Sequence, residues 1–138
     1  MLTLDGPSAV PEPGAVRLQG PEIAWIADNT RKFQVSQNGT LTIQSTRAFA
    51  ETFFEAPVDE VAAQLVAAAG PWIGSNITQW QLQRWRYSKA VRFAGVPCVR
   101  LDTPTNLLLA GDYMQSPSRM EGALLSGVAA ARSILSMQ

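Results

Sequence analysis

The sequence predicts an α+β fold, an antiparallel sheet with helices over most of the chain, followed by a C-terminal strand-turn-helix of the kind found in α/β proteins. Three observations carry that prediction. Strand-length apolar runs and period-2 alternation occupy the chain up to about residue 45. A helical periodicity takes over from about residue 47. Near the end, Leu107-Leu108-Leu109-Ala110 runs into Gly111-Asp112 and then into a glycine-punctuated helical pattern from Ser118.

In chain order, Leu2 to Asp5 forms a short strand. A loop follows, because Gly6, Pro7, Pro11, Pro13, Gly14 and Gly20 break helices and ladders alike. Ile23 to Ala27 is an apolar run of strand length, bounded by Pro21 and by Asp28-Asn29. Asn38-Gly39 marks a turn, after which Leu41 and Ile43 alternate with Thr40, Thr42 and Gln44. The two strands on either side pair antiparallel. Phe49, Phe53 and Phe54 then fall on one side of a short helix. Val58, Val61, Ala62, Leu65, Val66 and Ala69 form the stripe of a second helix, with Pro57, Asp59 and Glu60 in its first turn and Gly70-Pro71 as its stop.

From Ile77 to Tyr87, Trp80 and Leu82 share one strand face and Trp85 and Tyr87 the other, so the apolar side switches midway. A bulge would do this, as would a long strand whose ends are covered on opposite faces. A strand at Cys98 to Leu101 and a turn from Asp102 through Pro104 to Asn106 come next. Leu107 to Ala110 has no polar alternation and reads as a strand covered on both faces, the habit of parallel sheets. Met120, Leu124, Gly127, Val128, Ala131 and Leu135 form one helical stripe after it. Such a strand needs neighbours to complete its ladder.

Composition excludes several function classes. The 138 residues hold 11 basic and 11 acidic side chains, so no global field recruits nucleic acid or a membrane. The basic run Arg84, Arg86, Lys89, Arg92 and Arg100 reads as a solvated or salt-bridged strand face. There is no histidine, which removes Ser-His-Asp and Cys-His catalysis and the usual zinc sites; no metal is expected. Cys98 is the sole cysteine and forms no internal disulfide, the pattern of a reducing, cytoplasmic setting. No apolar run approaches the ~20 residues of a membrane span.

The chemistry gathers at the end of the chain. Ligands of open α/β sheets bind at the carboxyl ends of strands, where Gly111-Asp112 lies. Gly111 admits a close backbone approach, and the Asp112 carboxylate accepts hydrogen bonds from sugar-type hydroxyls. Ser118 and Glu121 fit a capping box that starts a helix near Arg119. The spare amides of its first turn and its positive dipole end suit an electron-rich ring oxygen or a phosphate. On spacing alone the segment is equally a capped helix that packs through small residues.

Gly111-Asp112 with Arg119 to Ala130, read as Arg-x-Glu-Gly-Ala-x-x-Ser-Gly-x-x-Ala, resembles the C-terminal FAD motif of the amine oxidase and phytoene desaturase superfamily. Gln83-Arg84-Trp85-Arg86-Tyr87-Ser88 and Ala24-Trp25-Ile26-Ala27-Asp28-Asn29 with Lys32 resemble the renalase-like branch, over nearly the whole chain. Gln83 stands where that branch commonly has histidine, so no proton-handling role exists there.

The resemblance implies a substrate-domain segment at 1–101 and an FAD-binding strand-turn-helix at 102–138 that completes a Rossmann-like domain. Gly111 and Asp112 would approach the ribityl-diphosphate of FAD, and Met120, Glu121, Gly122 and Ala123 the pyrimidine edge of the flavin. Trp25, Trp85 and Tyr87 are the substrate-side aromatic candidates; ordinary core or strand pairing is the alternative for each. The implied reaction moves a hydride from an amine or reduced pyridine-type small molecule to flavin, with no catalytic side chain. No G-x-G-x-x-G occurs in the sequence, and that turn holds the FAD diphosphate. The chain is therefore expected to be the C-terminal part of a flavoenzyme, inactive alone, whose partner is a separate N-terminal half or a second copy of itself. A catalytically silent, self-associating or partner-binding module is the alternative.

Overall fold

The computed structural model describes residues 1–33, 38–88, 90–103, 105, 107–116 and 118–136. Lys89 of the basic run, Pro104 and Asn106 of the predicted turn, and the side chain of Lys32 lie outside the described residues. The chain forms two compact units, Met1–Arg84 and Trp85–Gln138. No helix is long and apolar enough to cross a membrane among the described residues.

The first unit is a five-stranded antiparallel sheet backed by helices, in keeping with the α+β prediction. Its strands are β1 (Leu2–Leu4), β2 (Ala15–Arg17), β3 (Ile23–Asp28), β4 (Thr40–Ser45) and β5 (Ile77–Trp80), in the spatial order β2-β3-β4-β1-β5. The predicted pairing of β3 with β4 is present, with Ile26 opposite Ile43 and Asp28 opposite Leu41. Strand β2 falls where the sequence predicts loop. Its three residues add an edge to β3, with Val16 opposite Ile26, although prolines and glycines surround them. Helix α1 (Asn29–Phe33) is a further short element that the residue pattern does not announce.

Period-2 geometry gives the sheet two unlike faces. Leu2, Leu4, Ile23, Ile26 and Leu41 point inward, where they meet Phe49 of α2 (Arg47–Phe53) and Val61, Leu65 and Ala69 of α3 (Val58–Ile73). Ile26 and Leu41 are fully buried. On the other face Trp25 lies opposite Gln44, Ala27 opposite Thr42, and Thr3 between Thr40 and Gln79. That face is half-buried at most and rich in hydroxyls and amides. Thr46 caps α2 by accepting the Phe49 amide at 3.1 Å, and the Phe49 and Phe53 rings lie 4.7 Å apart.

Helix α3 does not stop at Gly70-Pro71 but carries Pro71 inside it and ends at Ile73. Pro71 removes one N–H donor. The extra turn places Trp72 and Ile73 against the core, and the Trp72 carbonyl accepts from Ala9 N–H at 3.0 Å. The stop moves to Gly74, whose φ of +76° is the left-handed conformation that favours glycine.

Strand β5 ends at Trp80, well short of Tyr87. Next to its ladder with β1, Gln81 N–H donates to the Met1 carbonyl at 3.0 Å. A bulge is present, but at Thr78: Thr3 faces Gln79 while Leu4 faces Ile77. Trp85 and Tyr87 thus do not form the second face of a long strand.

Asp28 is the buried charge of this unit. Its carboxylate accepts from Ser8 Oγ at 2.6 Å and from Thr30 N–H at 2.9 Å, with Arg31 Nε 3.8 Å away. Burial pushes its pKa up, but the donors from Ser8, Thr30 and Thr40 outweigh it and hold the carboxyl below its ordinary 3.8. These bonds tie the loop at Ser8 to the end of β3 and the start of α1.

Two outcomes follow for this unit. An alanine Cβ at Gly74 would lie 2.6 Å from Ala9 N and 2.8 Å from Pro7 O, backbone atoms that cannot step aside. Gly74→Ala should therefore lower unfolding free energy by at least about 2 kcal/mol, read as a drop in urea midpoint. A depressed carboxyl pKa adds stability that is complete above the unfolded value and is lost as pH falls through the folded one. Asp28→Asn should cost about 1–3 kcal/mol near pH 7, and the gap to wild type should close as urea titrations move below about pH 4.

Candidate functional site

Among its described residues the second unit holds a short pair of strands, the turn that follows them and one long helix. Strands β6 (Val99–Arg100) and β7 (Leu108–Leu109) pair antiparallel, with Val99 opposite Leu109 and Arg100 opposite Leu108. This corrects the expectation of a parallel strand covered on both faces. Leu107 and Leu109 remain 48% and 37% exposed. One edge of β7 is paired with a segment close in sequence, which needs no long crossover connection.

The turn after β7 carries Gly111 and Asp112, and helix α4 (Met120–Leu135) follows. Ser126, in the middle of α4 and 3% exposed, fixes the arrangement. Its Oγ accepts from Gly111 N–H at 2.9 Å and donates to the Pro97 carbonyl at 2.6 Å. The turn is strapped again by Gly95 N–H to the Met114 carbonyl at 2.9 Å and by Ala94 N–H to the Tyr113 carbonyl at 3.2 Å. Met114 is buried at its centre. A Cβ on Gly111 would lie 2.5 Å from the Tyr113 ring, so glycine suits this close approach.

Ser118 does not cap the helix. Its Oγ donates to Asp112 Oδ2, and the N-cap is Arg119, which makes no side-chain capping bond. The helix start near Arg119 is as predicted, but its N-cap residue gives the first-turn amides no side-chain acceptor. The half-buried Asp112 carboxylate is held in place by Ser118 instead.

The rotation of α4 also differs from the expectation. Met120, Leu124, Gly127, Val128, Ala131 and Leu135 are exposed, Met120 at 89%. The inward face carries Gly122, Ser126, Ala129, Ala130 and Ser133, all half-buried or buried. The reason is Ser126: two hydrogen bonds orient the helix by its small polar row, because breaking them would strand buried polar groups.

The second unit thus holds Gly111, Asp112, Met120, Glu121, Gly122 and Ala123 together, Glu121 exposed and Gly122 and Ala123 half-buried. Trp85 and Tyr87 belong to the same unit and are 70% and 93% exposed. Trp25 belongs to the first unit, on the polar face of the sheet, with the Arg17 guanidinium 5.7 Å from its ring centroid. Sequence reasoning missed two contributors. Ser126 was announced by a hydroxyl in the small-residue row of α4, and Arg17 by its alternation with Val16 and Leu18. A shallow depression of about 340 Å³ lies elsewhere in the first unit, lined by Pro21, Glu22, Phe49, Phe53 and Gln64 among others. Among the described residues no group of three or more Cys, Asp or Glu could hold a metal ion.

No curated protein matches the chain. The family described as flavin containing amine oxidoreductase matches residues 24–135, from β3 to the end of α4. The match includes Trp25, Trp85 and Tyr87, the Gly111-Asp112 turn and the whole N-terminal half of α4. Its members are flavin-dependent oxidoreductases, and by this match the chain belongs to the flavin containing amine oxidoreductase family.

Proposed function

We propose that this chain serves an FAD-dependent oxidoreductase of the renalase-like type, acting on an amine or reduced pyridine-type small molecule, and that it contributes the flavin-facing end of α4. The observation that carries the reading is the first turn of α4. Its amides have no side-chain cap, and beside it in the same unit an Asp112 carboxylate is bonded to Ser118.

The donor set fits a flavin. First-turn amides without a cap from Arg119, with a positive dipole end, favour negative charge on a ring edge. Gly122 and Ala123 present little side-chain bulk there. Asp112 accepts hydrogen bonds from hydroxyls of a ribityl chain, and Gly111 keeps the backbone thin beside it. FAD, when bound, supplies hydride acceptance at its ring. The chain's own residues bind the ring edge, orient it and bias its charge. On the substrate side, Trp25 with Arg17 beside its ring offers an aromatic and cationic surface, and Trp85 and Tyr87 offer exposed rings. The 1–101 and 102–138 assignment to substrate and cofactor parts is retained as part of this proposal. The diphosphate-binding G-x-G-x-x-G would come from another segment or chain, so FAD held by this chain alone is expected to be weak.

Amide chemical-shift mapping tests the reading without requiring tight binding. FAD and riboflavin should both shift Asp112 and Met120 to Ala123, and ADP should not. Reduced riboflavin should bind roughly two- to fivefold more tightly than oxidised, the effect of one helix terminus on one added charge. Absence of shifts at these amides, or equal shifts with ADP, would contradict the proposal.

A further inference from the structure

The Asn38-Gly39 step before β4 carries chemistry that flavin binding does not use. Asparagine is thermolabile, because its side-chain carbonyl carbon lies within reach of the next main-chain nitrogen. A following glycine leaves that nitrogen unhindered. Asn38 is the one asparagine followed by glycine; Asn29 and Asn76 precede the β-branched Thr30 and Ile77, and Asn106 precedes Leu107. The packing requires this glycine. A Cβ at Gly39 would lie 2.9 Å from Leu4 Cδ1 and 3.0 Å from the main-chain nitrogen of Ser8. The labile pair is thus built into the point where β4, the central strand of the sheet, begins.

The same packing holds the reacting peptide still. The Asn38 carbonyl and the Gly39 N–H belong to one peptide plane. Its oxygen accepts from Thr30 Oγ1 at 2.8 Å, and its N–H donates to the Gly6 carbonyl at 2.7 Å. The Gly39 carbonyl in turn accepts from Leu4 N–H at 2.9 Å. Ring closure needs the Gly39 nitrogen deprotonated and its plane turned until that nitrogen faces Asn38 Cγ. Either change breaks the bond to Gly6, and the rotation breaks the bond to Thr30 as well.

We propose that Asn38 is a fold-gated deamidation site, intact while its peptide is pinned between Thr30 and Gly6 and modified when that corner of the sheet opens. The step balances without a cofactor. Gly39 N bonds to Asn38 Cγ, the side-chain amide departs with the Gly39 proton as ammonia, and a five-membered imide remains. Water then opens the imide at either carbonyl, to aspartate or to isoaspartate. Isoaspartate routes the main chain through the side chain and lengthens it by one carbon, which carries Gly39 away from Gly6 and Leu4. A chain that reacts while open therefore keeps a loosened β4. Nothing in this chemistry depends on a flavin.

Peptide mass mapping after timed incubation of the chain at mildly alkaline pH, with and without guanidinium chloride, tests the proposal. In denaturant Asn38 should deamidate ahead of the other asparagines. In the folded chain it should react at least about tenfold more slowly, because the reaction is slow beside opening and tracks the open population. Thr30→Val removes the hydroxyl that holds the Asn38 carbonyl. It should speed the folded-state reaction roughly two- to tenfold and leave the rate in denaturant unchanged. Hydrogen exchange at the wild-type Gly39 amide, a measurement that needs no variant, should be slower than in an unstructured peptide by at least about tenfold. Equal deamidation rates in the folded and denatured chain, an unprotected Gly39 amide, or a folded Thr30→Val that reacts no faster than wild type would each overturn the proposal.

Discussion

The hydroxyl of Ser126 sits between the Gly111 amide and the Pro97 carbonyl, and the second unit takes its form from that position. A buried hydroxyl without partners costs about 1–3 kcal/mol. Two partners at 2.9 and 2.6 Å remove that cost and fix three things at once: the rotation of α4, the position of the Gly111-Asp112 turn and the start of the β6 segment. Once α4 is turned this way, its large apolar residues have to face outward. The exposed stripe is thus a consequence of one side chain.

The first unit obeys the same constraint with a charge in place of a hydroxyl. Asp28 is buried at the end of β3, and its donors come from a loop before β2 and from the first residues of α1. Its bonds close the proline-rich segment over one corner of the sheet, while Leu2, Leu4, Ile26 and Leu41 supply the apolar burial. In both units the polar contacts choose the arrangement and the apolar ones stabilise it.

Legibility in the sequence followed how local each signal was. Strands β3 and β4 were readable because alternation, a turn dipeptide and length agreed over neighbouring residues. Helix α3 was readable from its stripe, but its end was not: Pro71 is a strong local stop, and the packing of Trp72 and Ile73 overrides it. Strand β2 was hidden because only pairing with β3 makes a strand of Ala15–Arg17. Glycine and capping signals located the turn and the helix start at the site. They misassigned Ser118, whose hydroxyl partner Asp112 lies six residues upstream. The rotation of α4 was misread for a related reason: hydrophobicity predicts the buried face only when no buried hydrogen bond competes.

For a flavin-dependent family the geometry has a direct bearing. A helix terminus biases the charge of a ring edge only within about a turn of its end. On the proposed flavin reading, the turn that carries Asp112 must therefore stay registered on α4, and the Ser126–Gly111 bond is what registers it. Hydrogen exchange at the Gly111 amide, compared between the wild-type chain and Ser126→Ala, tests this most directly. The account predicts a protected amide in wild type and exchange faster by roughly five- to tenfold in the variant, with α4 still helical. Equal protection of Gly111 in the two proteins would contradict it.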